Sequence, residues 1–301
     1  MLVNWMDEQL AAAGISRTGD VGEPRVRPWS TVLTAPTTTG PVWLKTTSAA
    51  TGFEAALYEI LHELAPHRVL EPIAVDTERG WLLLPDGGAP VGWDLPPDDL
   101  AAILVDVLPR YGVLQRDVAP QVDRMLAAGV ADMRPEVMPT RFAAAVSAVG
   151  GFPEVEAREA DFLGWCARLT ESPVPACLDH NDLHPANILL TDPTDPDAVR
   201  FYDWGDAVIA HPFAAMFVPL KVLLDKLGPQ AAGTLRVRDA YLEAFTDLAP
   251  RAELAADLDL ACRVAKVART LVWARAIATD PGEWADAPRE TLGTLLADSY
   301  Y

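Results

Sequence analysis

Residues 177–190, CLDHNDLHPANILL, crowd two histidines, two aspartates and two asparagines against an apolar run. His180 stands two residues before Asp182, and Asp182 five before Asn187; a second apolar run then ends on Asp203, with Trp204 and Gly205 after it. Side chains of these types suit two kinds of chemistry. A carboxylate can take or orient a proton, and carboxylate and amide oxygens can hold a hard cation. A capped turn beside a hairpin would account for Asp182, Asn187 or Asp203 singly, but not for their joint spacing. A zinc reading of His180 and His184 as H-x-x-x-H fails because Pro185 and the loop context remove the helical face such pairs use. His180 reads as a brace for the loop and Trp204 as packing. Asp206 is either a carboxylate supporting the site or an ordinary turn residue.

The elements that must position these residues follow from periodicity and turn signals. Residues 1–90 read as a small, mostly β unit: segments 25–27, 31–35 and 42–46 are short and β-branched or aromatic, with TAPTTTGP as a turn between them. Segment 52–64 sets Phe53, Leu57, Ile60, Leu61 and Leu64 at helical spacing, with Pro66 just beyond. EPIAVD and GWLLL read as two more strands, and PDGGAP as a linker. From Pro97 onward helical patterns dominate, over 98–107, 120–128, 141–149 and 154–169 and in a series from Phe213 to the end. NILL and VRFYDW, joined by the turn-forming TDPTDPD, interrupt this part as a hairpin-like island. Internal repeats and low-complexity tracts are absent from the sequence.

The 301 residues are half hydrophobic, enough for a substantial core in a globular protein. The start, MLVNWMDEQL, lacks the basic and apolar regions of a secretory signal. The apolar run 207–220 is broken by Pro212 and Pro219 and too short to span a bilayer. A cytoplasmic protein is expected. Cys166, Cys177 and Cys262 make no paired framework and read as buried thiols. With 24 basic and 43 acidic side chains the net charge is −19, which repels nucleic acid and anionic membranes. The deficit is −5 over residues 1–90 and −14 over 91–301, close to proportional to length. It therefore reads as solubility first and as steering of a cationic substrate second.

The order H-x-D-x-x-x-x-N, then D-x-G, resembles the catalytic loop and metal-binding turn of the protein-kinase-like fold. The wording HNDLHPANIL…FYDWGDA, with Trp where protein kinases carry Phe, resembles the aminoglycoside phosphotransferase and choline kinase-like family. The resemblance runs from PWSTVL through the hinge at LLLPDGG to the DWG turn. It implies an α+β, two-lobe fold: a β-rich nucleotide-binding lobe over residues 1–88 and a mainly helical lobe over 89–301 with the catalytic loop and acceptor site. ATP, or another nucleoside triphosphate, and Mg²⁺ would bind between them. Asp182 would be the catalytic carboxylate, accepting or orienting the acceptor's hydroxyl proton, and Asn187 and Asp203 the oxygen ligands of the metal. Lys45, in VWLK, would contact the α- and β-phosphates. Glu54 or Glu59 would hold Lys45; the wording E-A-A-L-x-x-x-L favours Glu54. At the hinge, the Pro85 carbonyl and the Gly87 N–H would meet the adenine.

Two departures from that family matter. The G-x-G-x-x-G loop is missing, and RPWSTVL stands in its place, with Ser30 and Thr31 able to offer hydroxyl and backbone N–H groups to phosphate. Ala215, in HPFAAM, stands where the family often carries an Asp that tethers the catalytic loop, so the loop must be braced differently or catalysis is weaker. Eight residues separate Asp203 from Pro212 and no A-P-E follows, which leaves no room for a long activation segment and disfavours a protein substrate. The expected reaction is ATP-dependent O-phosphorylation of a small hydroxylated, amine-bearing molecule such as an aminoglycoside-type antibiotic. Asp280, Glu283, Asp286 and Glu290 are candidates to meet its amines, or else a solvated helix face. The competing readings are a metabolic kinase of a sugar or amino alcohol, a pseudokinase-like nucleotide-binding protein, and a metal-dependent phosphohydrolase; the last gives Lys45 and the hinge no role.

Overall fold

The first helix and five strands are set by short amphipathic runs between turns. A computed structural model describes residues 1–192, 195–228 and 230–297. Helix α1 (Leu2–Ala12) precedes strands β1 (Arg25–Arg27), β2 (Ser30–Thr37) and β3 (Gly40–Thr47); helix α2 (Phe53–Leu64) then leads to β4 (Ala74–Asp76) and β5 (Trp81–Pro85). The strands form one antiparallel sheet in the order β1-β2-β3-β5-β4. Alternation along each strand divides its side chains between two faces. Leu33, Ala35, Val42, Leu44 and Leu83 turn outward and are covered by Trp5, Met6 and Leu10 of α1. Leu82 turns inward, into the larger core shared with Leu57, Tyr58, Ile60 and Leu61 of α2. Lys45, in the central strand opposite Val32 and Leu82, lies on this inner side.

The remaining chain is mainly helical: α3 (Pro97–Val118), α4 (Val122–Ala127), α5 (Met138–Ala148), α6 (Pro153–Glu156), α7 (Glu159–Thr170), α8 (Phe217–Leu227), α9 (Ala232–Leu242), α10 (Arg251–Ala276) and α11 (Ala287–Gly293). α3 packs on α9, and α10 packs against α5, α7 and α11. Five short strands stand among these helices: β6 (Ala131–Asp132), β7 (Cys177–Asp179), β8 (Ile188–Leu190), β9 (Val199–Phe201) and β10 (Val208–Ala210). They pair as the sheet β6-β10-β7 and the hairpin β8-β9. The hairpin is the expected island, although Pro193 and Thr194 of its turn, like the last residues of the expected helical series, lie outside the described residues.

Several features depart from the sequence reading. α1 was not expected, because Trp5, Met6 and Leu10 make too short a stripe to stand out until the sheet face they cover is known. α3 runs to Val118 instead of ending at 107, passing through Pro109. A proline removes one helical hydrogen bond and crowds the preceding turn. Here burial of Leu104, Val107, Leu108, Tyr111, Leu114 and Val118 along one face outweighs that cost. The segment read as a linker, PDGGAP, is tied down: Pro90 bridges to Leu189, and the Val91 N–H donates to the Ile188 carbonyl at 2.9 Å. All three cysteines are buried and free, as expected.

Candidate active site

The sheet, α2 and the DWG turn meet at Lys45. Its Nζ lies 2.8 Å from Glu54 Oε1, 2.6 Å from Glu54 Oε2 and 2.5 Å from Asp203 Oδ1. Glu54 is 1% exposed, and its Oε1 also accepts the Trp204 backbone N–H at 3.0 Å, so one carboxylate joins β3, α2 and the turn. Glu59 is exposed on the other side of the helix. Burial alone would depress the Lys45 ammonium, yet Asp203 and Glu54 together carry it above its ordinary value. Burial also raises the Asp203 carboxyl, but Lys45 more than offsets this and holds it low. Asp203 keeps 43% of its side chain exposed to the cleft. It sits at φ 65° in the left-handed region, and the turn behind it runs so close to the ion pair that a Cβ at Gly205 would lie 3.2 Å from Glu54 Oε2.

The catalytic-loop segment is fastened residue by residue. Asp179, at the end of β7, accepts the Asn181 N–H at 2.7 Å, and Asn181 takes φ 63°. His180 is fully buried: its N–H donates to Tyr111 Oη at 3.0 Å, its Nε2 donates to the Tyr202 carbonyl at 2.9 Å, and its ring lies 4.6 Å from that of Trp204. Asp182 has partners on both oxygens. Arg269 Nη2 donates to Oδ1 at 2.6 Å, and His184 Nε2 lies 3.3 Å from Oδ2. Burial pushes the Asp182 carboxyl up, but Arg269 and His184 overcome that and hold it well below the usual carboxylate range. Asn187 is 5% exposed; its Nδ2 donates to the Asp182 carbonyl at 2.9 Å, and its own carbonyl accepts the Tyr202 N–H across the hairpin.

These residues border a cavity of about 710 Å³ between the sheet and the helical part. Lys45, Glu54, Asp182, Asp203 and Asp206 line its floor, Pro85 and Gly87 one edge, and Ser30 the roof. Burial, and the neighbouring Asp182 and Asp203, push the Asp206 carboxyl up to about 7. Three tryptophans make a wall: Trp273 and Trp284 stack with centroids 5.4 Å apart, and Trp29 meets each of them edge-on at 5.9 Å. At the hinge, a Cβ on Gly87 would come within 2.3 Å of Leu189 Cδ1, so a side chain there would have to push Leu189 of the hairpin aside.

The sequence pattern of the phosphotransferase enzyme family (APH) matches residues 37–254, well over half the chain. The chain belongs to this family. No curated protein sequence matches it. Among solved structures it is similar in fold to the macrolide 2′-phosphotransferase MphH from Brachybacterium faecium, at 18% identity and a TM-score of 0.62, covering 98% of both chains. It is likewise similar to the choline kinase LicA from Streptococcus pneumoniae, at 12% identity, a TM-score of 0.63, and coverage of 98% of this chain and 97% of that one. The ethanolamine kinase of Plasmodium vivax gives 9% identity and a TM-score of 0.62 over 92% of this chain and 82% of its own. The fold is therefore the kinase-like α+β fold, and the chain is a phosphotransferase that delivers phosphate to a hydroxyl group.

In this phosphotransferase, Lys45, Glu54, Asp182, Asp203, Pro85, Gly87 and Ser30 share one cavity, while Thr31 and Asn187, also expected at the site, do not line it. Strand alternation puts Ser30 and Val32 on the cavity side and leaves Thr31 off it. Asn187 sits just behind the floor, bonded to Asp182. Asp280, Glu283, Asp286 and Glu290 do not line the cavity either; all are exposed, and Glu283 faces Arg27 at 3.4 Å. The part of that segment that reaches the cleft is Trp284. Sequence reasoning missed Arg269, whose partners lie 87 and 88 positions away, and the tryptophan wall, whose members come from three separate stretches. Only the R-x-x-x-W spacing of Arg269 and Trp273 on one face of α10 could have flagged them. Among the described residues, no helix is long and apolar enough to cross a membrane.

Proposed function

We propose that this enzyme transfers the γ-phosphoryl group of ATP, with Mg²⁺, to a hydroxyl of a small amine-bearing molecule such as an aminoglycoside-type antibiotic, and does so in the cytoplasm, where ATP is supplied. The observation that carries the reading is the convergence of Lys45, Asp203 and Asp182 on one cavity beneath the hinge. We place the boundary between nucleotide and acceptor lobes at residues 88/89, within the hinge.

The donor set fits magnesium. Asp203 Oδ1 is engaged by Lys45 and leaves Oδ2, while Asn187 spends its Nδ2 on Asp182 and leaves Oδ1; both are hard oxygens. Among the described residues, no three His, Cys, Asp or Glu side chains converge as a metal cluster. A two-ligand share suits an ion that completes its shell from phosphate and water. Bound there, the ion would neutralise charge on the phosphates. Lys45, pinned between Glu54 and Asp203, meets the α- and β-phosphates as a fixed cation. Pro85 and Gly87 present carbonyl and N–H to the base. Asp182, fixed at both oxygens and held ionised, orients the acceptor hydroxyl toward the phosphorus. Its low proton affinity suits this role, because a loose phosphoryl-transfer transition state asks for alignment more than for early proton removal.

The tryptophan wall favours an acceptor with an apolar or cationic face, and so keeps the amino-alcohol kinase reading in view, since aromatic faces hold amines by cation–π attraction. The structural neighbours named for a macrolide and for choline represent those two choices. The test is a panel of aminoglycosides, macrolides, amino alcohols and sugars incubated with Mg²⁺ and ATP and read by mass spectrometry. One acceptor should gain a single phosphoryl group, and none should with the Asp182→Ala enzyme. Phosphate release without any nucleoside triphosphate, or nucleotide binding with no transfer to any acceptor, would count against it.

A further inference from the structure

The catalytic loop needs a brace, and Ala215, 2% exposed, has no polar side-chain atom to supply one. The loop is instead gripped from α10. Arg269 reaches it with two nitrogens: Nη1 donates to the Asn181 carbonyl and Nη2 to Asp182 Oδ1 at 2.6 Å. The left-handed backbone of Asn181, φ 63°, gives its carbonyl the direction that lets one guanidinium take both acceptors. Asp179 stabilises that backbone from the other side by accepting the Asn181 N–H. The guanidinium is itself confined, 17% exposed, with its Cζ 5.8 Å from the Trp273 ring centroid. Six residues on, Arg275 Nη2 donates to the Gly205 carbonyl at 3.2 Å, so the same helix end also holds the DWG turn.

We infer that Arg269 is a positioning residue for phosphoryl transfer: its fork fixes the Asn181 carbonyl and the Asp182 carboxylate together, and so holds that carboxylate in one orientation for the acceptor hydroxyl. This rests on the role proposed above for Asp182. The planar fork is essential, because a lysine ammonium at this position keeps the charge but is a point donor without the paired geometry that spans a carbonyl and a carboxylate. Both donors end on the loop, one of them on the reactive residue itself. A merely structural arginine would change stability without separating kcat from KM.

The test uses Arg269→Lys and Arg269→Ala in the full-length enzyme with ATP and whichever acceptor is phosphorylated in the panel, together with crystal structures of the wild type and Arg269→Lys. Arg269→Lys should keep its melting temperature and its KM for ATP, while kcat falls about a hundredfold, the size expected when a reacting group is misplaced by about an ångström. In its crystal structure the Asp182 carboxylate should be rotated from its wild-type position. Millimolar guanidinium should restore part of the rate of Arg269→Ala and none of Asp182→Ala. Wild-type kcat in Arg269→Lys, or an unmoved Asp182, would overturn the inference. If no acceptor is phosphorylated, the functional reading fails, and the position of Asp182 in the two crystals still decides the inference. If Arg269→Ala does not fold, Arg269→Lys decides alone.

Discussion

Lys45 is held by two carboxylates of unequal freedom, one buried at Glu54 and one facing the cleft at Asp203. The buried partner anchors, and the exposed one is available to a ligand. On the role proposed for Lys45, removing the ammonium should hurt catalysis in two ways, by losing a phosphate contact and by leaving Glu54 buried beside no cation. Lys45→Ala is expected to lower kcat/KM for ATP by about a hundredfold, in line with the loss of a single preorganised charge donor. Glu54→Gln keeps an acceptor for the Trp204 N–H and should be milder, about tenfold, acting through a less fixed lysine. Steady-state kinetics on the two variants checks both the size and the order of these effects. Equal losses in the two would mean that Glu54 does more than anchor Lys45.

At the scale of elements, the cleft is closed by contacts between the β1–β2 turn and the C-terminal end of α10. Trp29 from the turn meets Trp273 of α10 and Trp284 beyond it, and Arg27 faces Glu283. The exposed ion pair adds little; of the contacts between the turn and α10, the aromatic ones contribute more. Trp29→Ala removes two edge-on pairs worth about 1 kcal/mol each and should raise the acceptor KM roughly tenfold, with kcat changed little. Initial rates over a range of acceptor concentration give the answer, and an unchanged acceptor KM would place the acceptor elsewhere. The strands around Lys45, α2 and the β8–β9 hairpin were legible in the sequence because their signals are local: alternation, helical spacing and turn residues. The Lys45–Glu54 partnership was legible only through motif resemblance. Arg269 and the tryptophan wall were not, since residues far apart in sequence carry no mark of their meeting. The late acidic residues left two readings open, and the structure takes the solvated one: the segment turns Trp284 inward and leaves its charges in water.

For the whole molecule, the net charge of −19 is not focused on the cleft, where Glu54, Asp86, Asp182, Asp203 and Asp206 are nearly balanced by Lys45, Arg25, Arg27 and Arg269. Stability has a titratable element away from the site. His211 accepts the Phe213 N–H at Nδ1, so its Nε2 carries the proton and donates to Ser172 Oγ at 3.2 Å, and Ser172 in turn donates to Asp257 of α10 at 2.6 Å. Burial pushes the imidazole down to about 3 from an ordinary 6.5. Between those values the unfolded chain binds the extra proton, so this contribution to stability is complete above pH 6.5 and is lost as pH falls toward 3. Melting temperatures followed from neutral pH down to about pH 4 should fall less steeply for His211→Gln than for the wild type. Identical slopes would show that the imidazole is not the group that titrates.

The most direct test of the account is a crystal structure with Mg²⁺ and a non-hydrolysable ATP analogue. The result expected is adenine against Pro85 and Gly87, α- and β-phosphates on Lys45, and a metal held by Asp203 and Asn187 with the γ-phosphate turned toward Asp182. Triphosphate bound away from Lys45, or a metal that touches neither Asp203 nor Asn187, would contradict it.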